Sequence, residues 1–454
     1  MSRINTNVSS LIAQRNLSLN NNSLGKSLER LSTGLRINRG ADGPAGLIAS
    51  EKLRSEKEAI SAAIGNAERA DQVANIAEGG LQEISSLLIE LQGLVTETAN
   101  NAGLSLDERQ ANQLQIDSIL QTIDRISATT SFAGTKLLNG TYDFTISGQH
   151  GRVTDFQVNA AKLNTGDTRA VNVIVNASAQ HGTLFLSAAT GVTALDLTAS
   201  SSTFVFELAG AKGSREFTFA SGTKLSAIAA SINQFKAITG VSATASANFV
   251  KFKSTEFGSD EFVSFKLVGA GGQVGGINTA SAFGENTIKT TAGTAFTALT
   301  NPIRDAGQDI GATSKGRTAN INSDFLDLSV TLSATGSQLL GAITAFTITG
   351  GGAKFNLGPQ VNILNQSSIG IKNVAVRNLG TSDIGFLDDL PAGQSSNVVD
   401  GDLTVAQDIV SKAIDQVSSL RGRIGAFQKN VVGATIRSLG VALENTSAAE
   451  SSIR

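Results

Sequence analysis

The 454-residue chain contains no cysteine, no tryptophan, one tyrosine and one methionine. Without cysteine it can form no disulfide, no thiolate metal site and no cysteine nucleophile. Because tryptophan and tyrosine are so scarce, the 41% of hydrophobic residues are mostly aliphatic, with phenylalanine as the abundant aromatic. This composition suits slender helices and thin sheets better than a thick enzyme core, and the length favours two or more domains.

The chain also lacks a charge excess and a long apolar run. Its formal net charge is −2, which argues against partners such as nucleic acid or an anionic membrane surface. No stretch reaches the roughly 18 apolar residues of a membrane span, so we expect no membrane insertion. The N-terminal stretch MSRINTNVSSLIAQRN has no continuous apolar segment and is not a Sec signal peptide. If the protein leaves the cell, it uses another export route.

Reactive groups that could form a catalytic site are scarce. The two histidines, His150 and His181, lie in no metal-binding spacing, and no GxSxG motif is present. Glycine pairs such as GAGGQVGG lack the following Lys-Ser/Thr of a phosphate loop. We therefore expect no enzyme, no cofactor and no metal site, with both histidines as ordinary surface or turn residues.

Residues 1 to about 140 read as helix with two interruptions. Leu24, Leu28, Leu31 and Leu35 are spaced four, three and four apart, and the stretch RGADGPAGL then breaks the helix. Ser105 and Glu108 form a capping-box pattern that begins a third helix. The second and third helices carry apolar stripes at Ala74, Ala77, Leu81, Ile84, Leu88, Leu91 and Val95, and at Ile116, Ile119, Ile123 and Ile126.

Residues from about 141 to 400 change to short alternating runs that predict strands. Examples are TFVFEL, REFTFAS, VKFK, VSFKLVG and FTITGGGAKFNLGPQVNIL. A helix with Leu225, Ile228, Ile232 and Phe235 on one side interrupts them, and residues 267–314 show no periodicity that assigns an element.

From about residue 402 a helical stripe returns, at Ala406, Val410, Ala413, Val417, Leu420, Ile424, Phe427, Val431 and Ala434. We predict an α+β fold in which heptad helices from both chain ends pack as a helical stem. A large β-rich insertion then projects from that stem.

The charged turn between the first two helices contains several residues typical of helix ends. Arg36 and Arg39 follow the first helix, where positive charge offsets free carbonyl groups. Asp42 precedes the second helix, where a carboxylate can cap free amides, and Pro44 suits its first turn. We expect these residues to act as caps, and the same charges could also contact neighbouring molecules.

The turn and both chain ends resemble bacterial flagellins. The resemblance is carried by RLSTGLRINRGADGPAGLIASEKL, by the segment ending in SFAGTKLLNG, and by SSLRGRIGAFQKNVVGATIRSLGVALENTSAAESSIR. In the middle, GTKLSAIAASINQFKAITGVSATAS is similar to the small IN module of flagellin insertions.

This resemblance implies a structural subunit that polymerises into the flagellar filament for motility. It implies export by the flagellar type III system and a secreted, extracellular location. Partners would be other copies of the chain, the export apparatus, the filament cap and the hook-junction proteins. The implied domains are 1–42 (inner helix and spoke), 43–140 and 401–454 (stem), and 141–400 (variable outer domains, with an IN-like module at about 221–267).

Heptad positions and the resemblance together predict a set of residues at the interface between subunits. The set is Leu24, Leu28, Leu31, Leu35, Arg36, Asn38, Arg39, Asp42, Leu81, Leu88, Leu91, Leu420, Arg421, Ile424, Phe427 and Gln428.

The chain also departs from the flagellin pattern. Gly43 replaces a second acid after the turn. Flagellins recognised by a Toll-like receptor carry an arginine where this chain has Glu90, near Leu94, and the reversed charge disfavours such recognition. Relatives continue for several dozen residues beyond the position of Arg454, so the helix containing Leu24 to Leu35 lacks its usual partner. The export chaperone binds that segment, and we do not expect chaperone binding here.

Several alternatives stay open at this point. The sequence is truncated, or it is a minor subunit, or it assembles unlike its relatives. A hook–filament junction protein shares the terminal helices, and a surface adhesin-like flagellin would bind a partner through its middle domain.

Overall fold

The computed structural model describes residues 7–100, 103–164, 166–187, 203–246, 249–270, 277–278, 287–289, 303–306, 314–323 and 325–454. The chain forms two compact units. Unit 1 contains Met1–Tyr142, Ala353–Gly380 and Phe386–Arg454, and unit 2 contains Asp143–Gly352 and Thr381–Gly385. Long helices lie toward both chain ends and strands fill the middle, so the chain is α+β, as predicted.

The helices begin and end close to the predicted positions. They are α1 (Val8–Thr33), α2 (Pro44–Thr98), α3 (Leu106–Thr129), α4 (Leu225–Gln234), α5 (Lys236–Thr239), α6 (Leu403–Ala426) and α7 (Gly433–Ile453), with a π-helical segment (Phe427–Val432) joining the last two. The predicted capping box is confirmed, because Ser105 Oγ accepts from the Glu108 amide and the Glu108 carboxylate accepts from the Ser105 amide. In the described part of the chain, none of the helices could span a membrane.

The strands are short, and most of their pairings are antiparallel. They are β1 (Ser131–Phe132), β2 (Thr135–Lys136), β3 (Phe144–Ser147), β4 (Val153–Ala161), β5 (Arg169–Val175), β6 (Thr183–Ser187), β7 (Thr203–Gly210), β8 (Gly213–Ala220), β9 (Val241–Ala245), β10 (Phe249–Ser254), β11 (Phe262–Ala270), β12 (Ile277–Asn278), β13 (Thr287–Lys289), β14 (Ile303–Ala306), β15 (Ser314–Lys315), β16 (Thr318–Asn322), β17 (Leu326–Leu332), β18 (Gly341–Gly351), β19 (Ala353–Asn356), β20 (Gln366–Ile369), β21 (Gly380–Thr381) and β22 (Gly385–Phe386).

Unit 1 is built on the apolar stripe of α2. Every predicted stripe position from Ala74 to Val95 is buried, which confirms the prediction. The stripe also extends upstream through small residues, and α3, α6 and α7 all pack against this helix. The β19–β20 hairpin lies on the small-residue half of α2, where Phe355 packs with Ala70 and Ala74. A long helix with a continuous stripe therefore organises one core out of segments that are far apart in the sequence.

The π-helical segment corrects the predicted C-terminal stripe. We expected Val431 and Ala434 to face the core after Phe427. Val431 is partly buried against the core, but the fully buried residue is Val432, and Ala434 is exposed. The step from Phe427 to Val432 is five residues, and a π-helix accommodates the additional residue. Beyond it, a new stripe of partly buried side chains follows at Ile436, Leu439, Leu443 and Ile453.

Three polar side chains of unit 1 hold the irregular stretch between residues 370 and 402. The Val376 amide donates to Asp124 Oδ1 (2.8 Å), and Gln416 exchanges two hydrogen bonds with the backbone of Gly380. Buried Gln113 accepts from the Val398 amide (2.8 Å) and donates to the Leu390 carbonyl (3.0 Å). Buried backbone groups need such partners. These side chains therefore supply the hydrogen-bond partners that the backbone would otherwise find in a regular helix or strand.

Unit 2 contains two apolar cores, each formed by antiparallel strands. In the first, α4 packs with β6 to β11, and Phe204, Phe206 and Leu208 alternate inward along β7. The predicted helix with Leu225, Ile228 and Ile232 is confirmed as α4. The second core lies between β15-β16-β17-β4 and β3-β18-β5. The runs TFVFEL, REFTFAS, VKFK and VSFKLVG are strands, as predicted. In FTITGGGAKFNLGPQVNIL the strand β19 ends at Asn356, and QVNIL lies in the loop that follows.

His181, which we expected to be an ordinary surface residue, is partly buried in unit 2. Its ring lies 3.7 Å from that of Phe257, and its Nδ1 lies 3.0 Å from the Glu256 carbonyl oxygen. Burial, with a smaller effect from nearby Lys253, lowers the pKa of His181 to about 4. The imidazole is therefore neutral at neutral pH and packs as an aromatic ring.

An ion pair joins α2 to α7. Lys57 Nζ donates to Glu450 Oε2 at 2.8 Å, and the glutamate side chain is only 12% exposed. This hydrogen bond lowers the pKa of Glu450 below the ordinary glutamate value. A group with a lowered folded-state pKa stabilises the fold above its unfolded-state pKa, and the effect is lost as the pH falls through the folded-state value.

We expect deletion of Asn430 to leave unit 1 almost as stable as before, with a change of about 0.5 kcal/mol or less. The deletion shortens the step from Phe427 to Val432 to four residues, which an ordinary α-helix provides. Deletion of Ser438 is the matched control. It rotates the following residues by about 100° and displaces Leu439 and Leu443, at a cost of about 1–3 kcal/mol. Urea unfolding followed by helical circular dichroism measures both, and equal losses would contradict a register role for the π segment.

Replacement Glu450→Gln should lower the free energy of unfolding at about pH 7 and have little effect at about pH 3. At the lower pH the carboxylate of the original chain approaches protonation, so the two proteins converge. Urea titrations across this range provide the measurement. The exposed glutamate of the same helix, replaced as Glu444→Gln, is the control. A difference that grows toward acid pH would contradict the direction of the pKa change.

Candidate assembly surface

Residues 34–43, here called the connecting turn, link α1 to α2. Gly34 ends α1 with a positive φ of 71°, and its amide donates to the Arg30 carbonyl. Ile37 is 5% exposed and lies over Gly46, where a Cβ would come within 2.5 Å of the Ile37 Cδ1. Glycine at 46 therefore permits the close approach that buries Ile37 against the start of α2.

The expected caps in the connecting turn serve different elements from those predicted. Arg36 does not cap α1, since its Nη2 donates to the Ile453 carbonyl (2.9 Å) at the end of α7. Asp42 does not cap α2, because its carboxylate accepts from the Arg39 amide and closes a short 3₁₀ turn, Gly40–Asp42. Pro44 is in the first turn of α2, as expected. The turn is thus held to α7 as well as to α2.

The helix α1 presents an apolar surface that the described residues do not cover. None of its residues is buried. Eight large apolar side chains are 47–82% exposed along its length: Val8, Leu11, Ile12, Leu17, Leu19, Leu24, Leu28 and Leu31. Exposed patches of this extent on a water-soluble surface are typical of interaction sites.

These side chains form two groups on the helix. At 100° per residue, Val8, Leu11, Ile12 and Leu19 fall within about 100° of one another, and Leu17, Leu24, Leu28 and Leu31 fall within about 60°. The centres of the two groups are about 170° apart, so they lie on opposite faces. The second group follows heptad spacing and continues to Leu35, which is partly buried. Complete coverage of α1 therefore requires neighbours on two sides.

The other apolar residues predicted at a subunit interface lie inside unit 1. Their side chains are at most 6% exposed and belong to the core around α2: Leu81, Leu88, Leu91, Leu420, Ile424 and Phe427. The same heptad pattern thus has two uses in this chain. On α2 and α6 it joins helices of one molecule, whereas on α1 it stays exposed.

The predicted polar residues make contacts within the chain. Gln428 Nε2 donates to Asn75 Oδ1 at 2.8 Å, and an Arg421 nitrogen lies 3.9 Å from the carboxylate of Glu78. Arg39 pairs with Glu29 at 3.1 Å while remaining 74% exposed, a type of pair that contributes little to stability. Asn38, on the connecting turn, donates to the Leu35 carbonyl at 3.4 Å. Only the pair formed by Arg39 therefore lies mainly in solvent.

The two receptor-patch positions on α2 differ in exposure. Glu90 is exposed, and Leu94 is partly buried against the core. A solvated glutamate needs no further explanation, and its charge is available to any molecule that approaches this face.

Two family models match the chain. Residues 4–143 match the bacterial flagellin N-terminal helical region, and residues 203–256 match the flagellin hook IN motif. The first match spans α1, the connecting turn, α2 and α3. The second begins at β7, earlier than the predicted module start near residue 221, and contains α4.

Known proteins similar to this chain include flagellin E of Vibrio cholerae. It is 42% identical over 139 residues, which are 31% of this chain and 36% of that flagellin. The aligned part thus spans about a third of the curated relative.

Solved structures that match this chain include FlgL of Xanthomonas campestris and FliC of Burkholderia pseudomallei. The match to FlgL has a TM-score of 0.29 and 13% identity, and it covers 86% of this chain and 98% of FlgL. The match to FliC has a TM-score of 0.24 and 12% identity, and it covers 79% of this chain and 99% of FliC. Such TM-scores do not bear on the arrangement of this chain. Residues 4–143 and 203–256 are thus similar to two parts of the bacterial flagellins, the N-terminal helical region and the hook IN motif.

Proposed function

We propose that this protein is a structural subunit that polymerises into the bacterial flagellar filament, an extracellular assembly that serves motility. The observation that carries the proposal is the exposed apolar surface of α1. This surface lies within the region that matches the flagellin N-terminal helical model. Its partners are other copies of the chain, with the export apparatus, the filament cap and the hook-junction proteins at earlier or terminal stages of assembly.

The energetics of α1 support association between copies. Covering eight large apolar side chains that are about half exposed or more contributes on the order of 10 kcal/mol before the costs of association. Contacts of the head-to-tail type that do not close into a ring produce an open helical polymer. A net charge of only −2 keeps electrostatic repulsion between copies small.

We further propose a division of labour among the predicted domains. Residues 1–42 form the inner layer of the filament, the rest of unit 1 forms the stem around α2, and unit 2 forms the outer domains. The predicted outer range of 141–400 was too wide, because Ala353–Gly380 and residues 386–400 belong to unit 1. The protein acts by assembly and not by catalysis, in keeping with the structural role of the flagellin family. Export through the flagellar type III system agrees with an N-terminus that lacks a Sec signal.

The proposal predicts that charges on the heptad face of α1 abolish assembly without unfolding the subunit. The double replacement Leu28→Asp/Leu31→Asp places two carboxylates in a face that assembly would desolvate. We expect no filaments by electron microscopy, alone or with sheared filament fragments as seeds, at concentrations where the original chain polymerises. Because α1 has no buried residue, the thermal unfolding of the monomer should stay unchanged.

The matched control is Ser27→Asp, which adds a charge on the same turn of the helix about 100° away from Leu28. This variant should still polymerise. The proposed function would be wrong if the original chain stayed monomeric even with seeds. It would also be weakened if Leu28→Asp/Leu31→Asp polymerised as well as Ser27→Asp.

A further inference from the structure

Two segments of unit 2 meet between its two apolar cores. One is the connector that leads from β5 of the second core to β6 of the first, and the other is the loop that follows β10. Backbone hydrogen bonds join them, because the Gly258 amide donates to the Gln180 carbonyl (3.2 Å) and the Ser254 amide donates to the Gly182 carbonyl (2.9 Å). We call residues 179–182, 254–261 and 315–317 the core junction.

The side chain of Phe257 links the two cores. It lies in the loop after β10, a strand of the first core, and packs against the second core. The His181 ring packs on it with 3.7 Å between ring centroids, and the Arg317 guanidinium lies 5.5 Å from the same ring. The backbone of Gly316 approaches the Phe257 carbonyl so closely that a Cβ at 316 would not fit. The core junction is therefore built around one aromatic ring.

Positive charges surround the place of His181 in the core junction. Burial is the largest cause that lowers its pKa, and the positive charges of Lys253 and Lys251 act in the same direction. Burial and the nearby charge of Lys251 also lower the pKa of Lys253. The Phe257 ring that receives the imidazole also contacts the Arg317 guanidinium. A positive charge on His181 is therefore unfavourable in the closed junction.

The other charged groups of the core junction act differently. Glu261 has its pKa raised by burial and by nearby Glu256, so its protonation in acid favours the closed junction and opposes the effect of His181. Two further acidic groups are paired with cations. These pairs are Asp260 with Lys315 (3.0 Å) and Asp383 with Arg317 (3.1 Å), and the remaining charge is that of Lys212, which acts on Glu261.

The lowered pKa of His181 couples the core junction to pH. The pKa is about 4 in the closed junction, against 6.5 for an ordinary histidine. A group of this kind favours the open form as the pH falls from the ordinary value toward the lowered one. Complete solvation on opening would favour the open form about 20-fold at pH 5 relative to pH 7. Because the ring is already partly exposed, we expect about tenfold.

We propose that the core junction is an acid-sensitive latch. On protonation, His181 leaves the Phe257 ring for water, and the connector separates from the loop after β10. Opening exposes the Phe257 ring and frees the amides of Ser254 and Gly258, while the strands of each core keep their pairing. This inference goes beyond the proposed function, and because it concerns unit 2 of a single molecule it does not depend on polymerisation.

Hydrogen exchange of the dilute monomer tests the latch, with mass spectrometry of peptides that cover residues 179–182 and 254–258. After correction for the intrinsic pH dependence of exchange, their protection should fall about tenfold between pH 7 and pH 5. In His181→Gln the fall should be less than about twofold, because glutamine does not titrate and can still donate to the Glu256 carbonyl. The matched control is His150→Gln, which removes the other histidine of the chain and should keep the full response.

Three results would overturn the latch. The first is equal protection of the junction peptides at both pH values in the original chain, and the second is an equal fall in His181→Gln. The third is loss of protection in β7 and β17 in step with the core junction, because acid would then unfold the whole of unit 2.

A second variant keeps the test decisive if His181→Gln fails to fold at pH 7. Lys253→Gln removes a positive charge that disfavours protonated His181, so the response to pH should shrink about twofold. An unchanged or larger response in this variant would contradict the role of the charge cluster.

Discussion

Unit 1 depends on the match between small residues on α2 and large residues opposite them. Alanines occupy positions 63, 67, 70, 74 and 77 of the buried stripe, and no side chain there projects far from the helix. Phe355 of the hairpin and Phe427 of the π segment fill the space, with ring centroids 5.9 Å apart. Close-packed interiors need such complementarity. The alanine-rich half of α2 therefore needs large side chains from the distant hairpin and from the C-terminal helices to fill the core.

The requirement explains the π-helical segment. Phe427 lies against α2, and the next buried residue is Val432, five positions later. Without the additional residue, Ile436, Leu439 and Leu443 would rotate away from α2. One additional residue in the turn keeps both halves of the C-terminal stripe on the same side. The less regular hydrogen bonds of the π-helical segment are thus offset by the apolar area that the following helix buries.

Much of unit 1 could be predicted from the sequence, because the relevant signals are local. The capping box at Ser105 and the α2 stripe depend on residues three or four apart, and both are confirmed. Beyond Phe427 the prediction holds in part for Val431, which packs against the core, and is wrong for Ala434, because a step of five residues interrupts a pattern that had repeated without a break. The hydrogen bonds of Gln113 connect residues 277 and 285 positions apart, and nothing near Gln113 in the sequence indicates them.

The assembly surface shows a different limit of sequence reasoning. Leu24, Leu28 and Leu31 repeat like the stripe of α2, and periodicity does not say whether a partner lies in the same chain. Burial makes the distinction, since the α2 leucines are enclosed and those of α1 are exposed. The second apolar face, around Leu11, belongs to a different heptad frame from that of Leu24, Leu28 and Leu31. Likewise, Arg36 was assigned to the nearest helix end, while the fold brings the end of α7 closer.

The connecting turn holds the end of α1, the helix that carries both exposed apolar faces. A helix with no buried residue has only its point of attachment to orient it. Here Ile37 is buried beside Gly46, and Arg36 binds the Ile453 carbonyl, so α2 and α7 both hold that point. An apolar helix on a loose tether would associate with neighbours in many orientations, whereas a polymer with one repeating geometry needs a defined direction. The residues of the turn are therefore best understood as fixing the C-terminal end of α1. The apolar surface of α1 itself stays exposed.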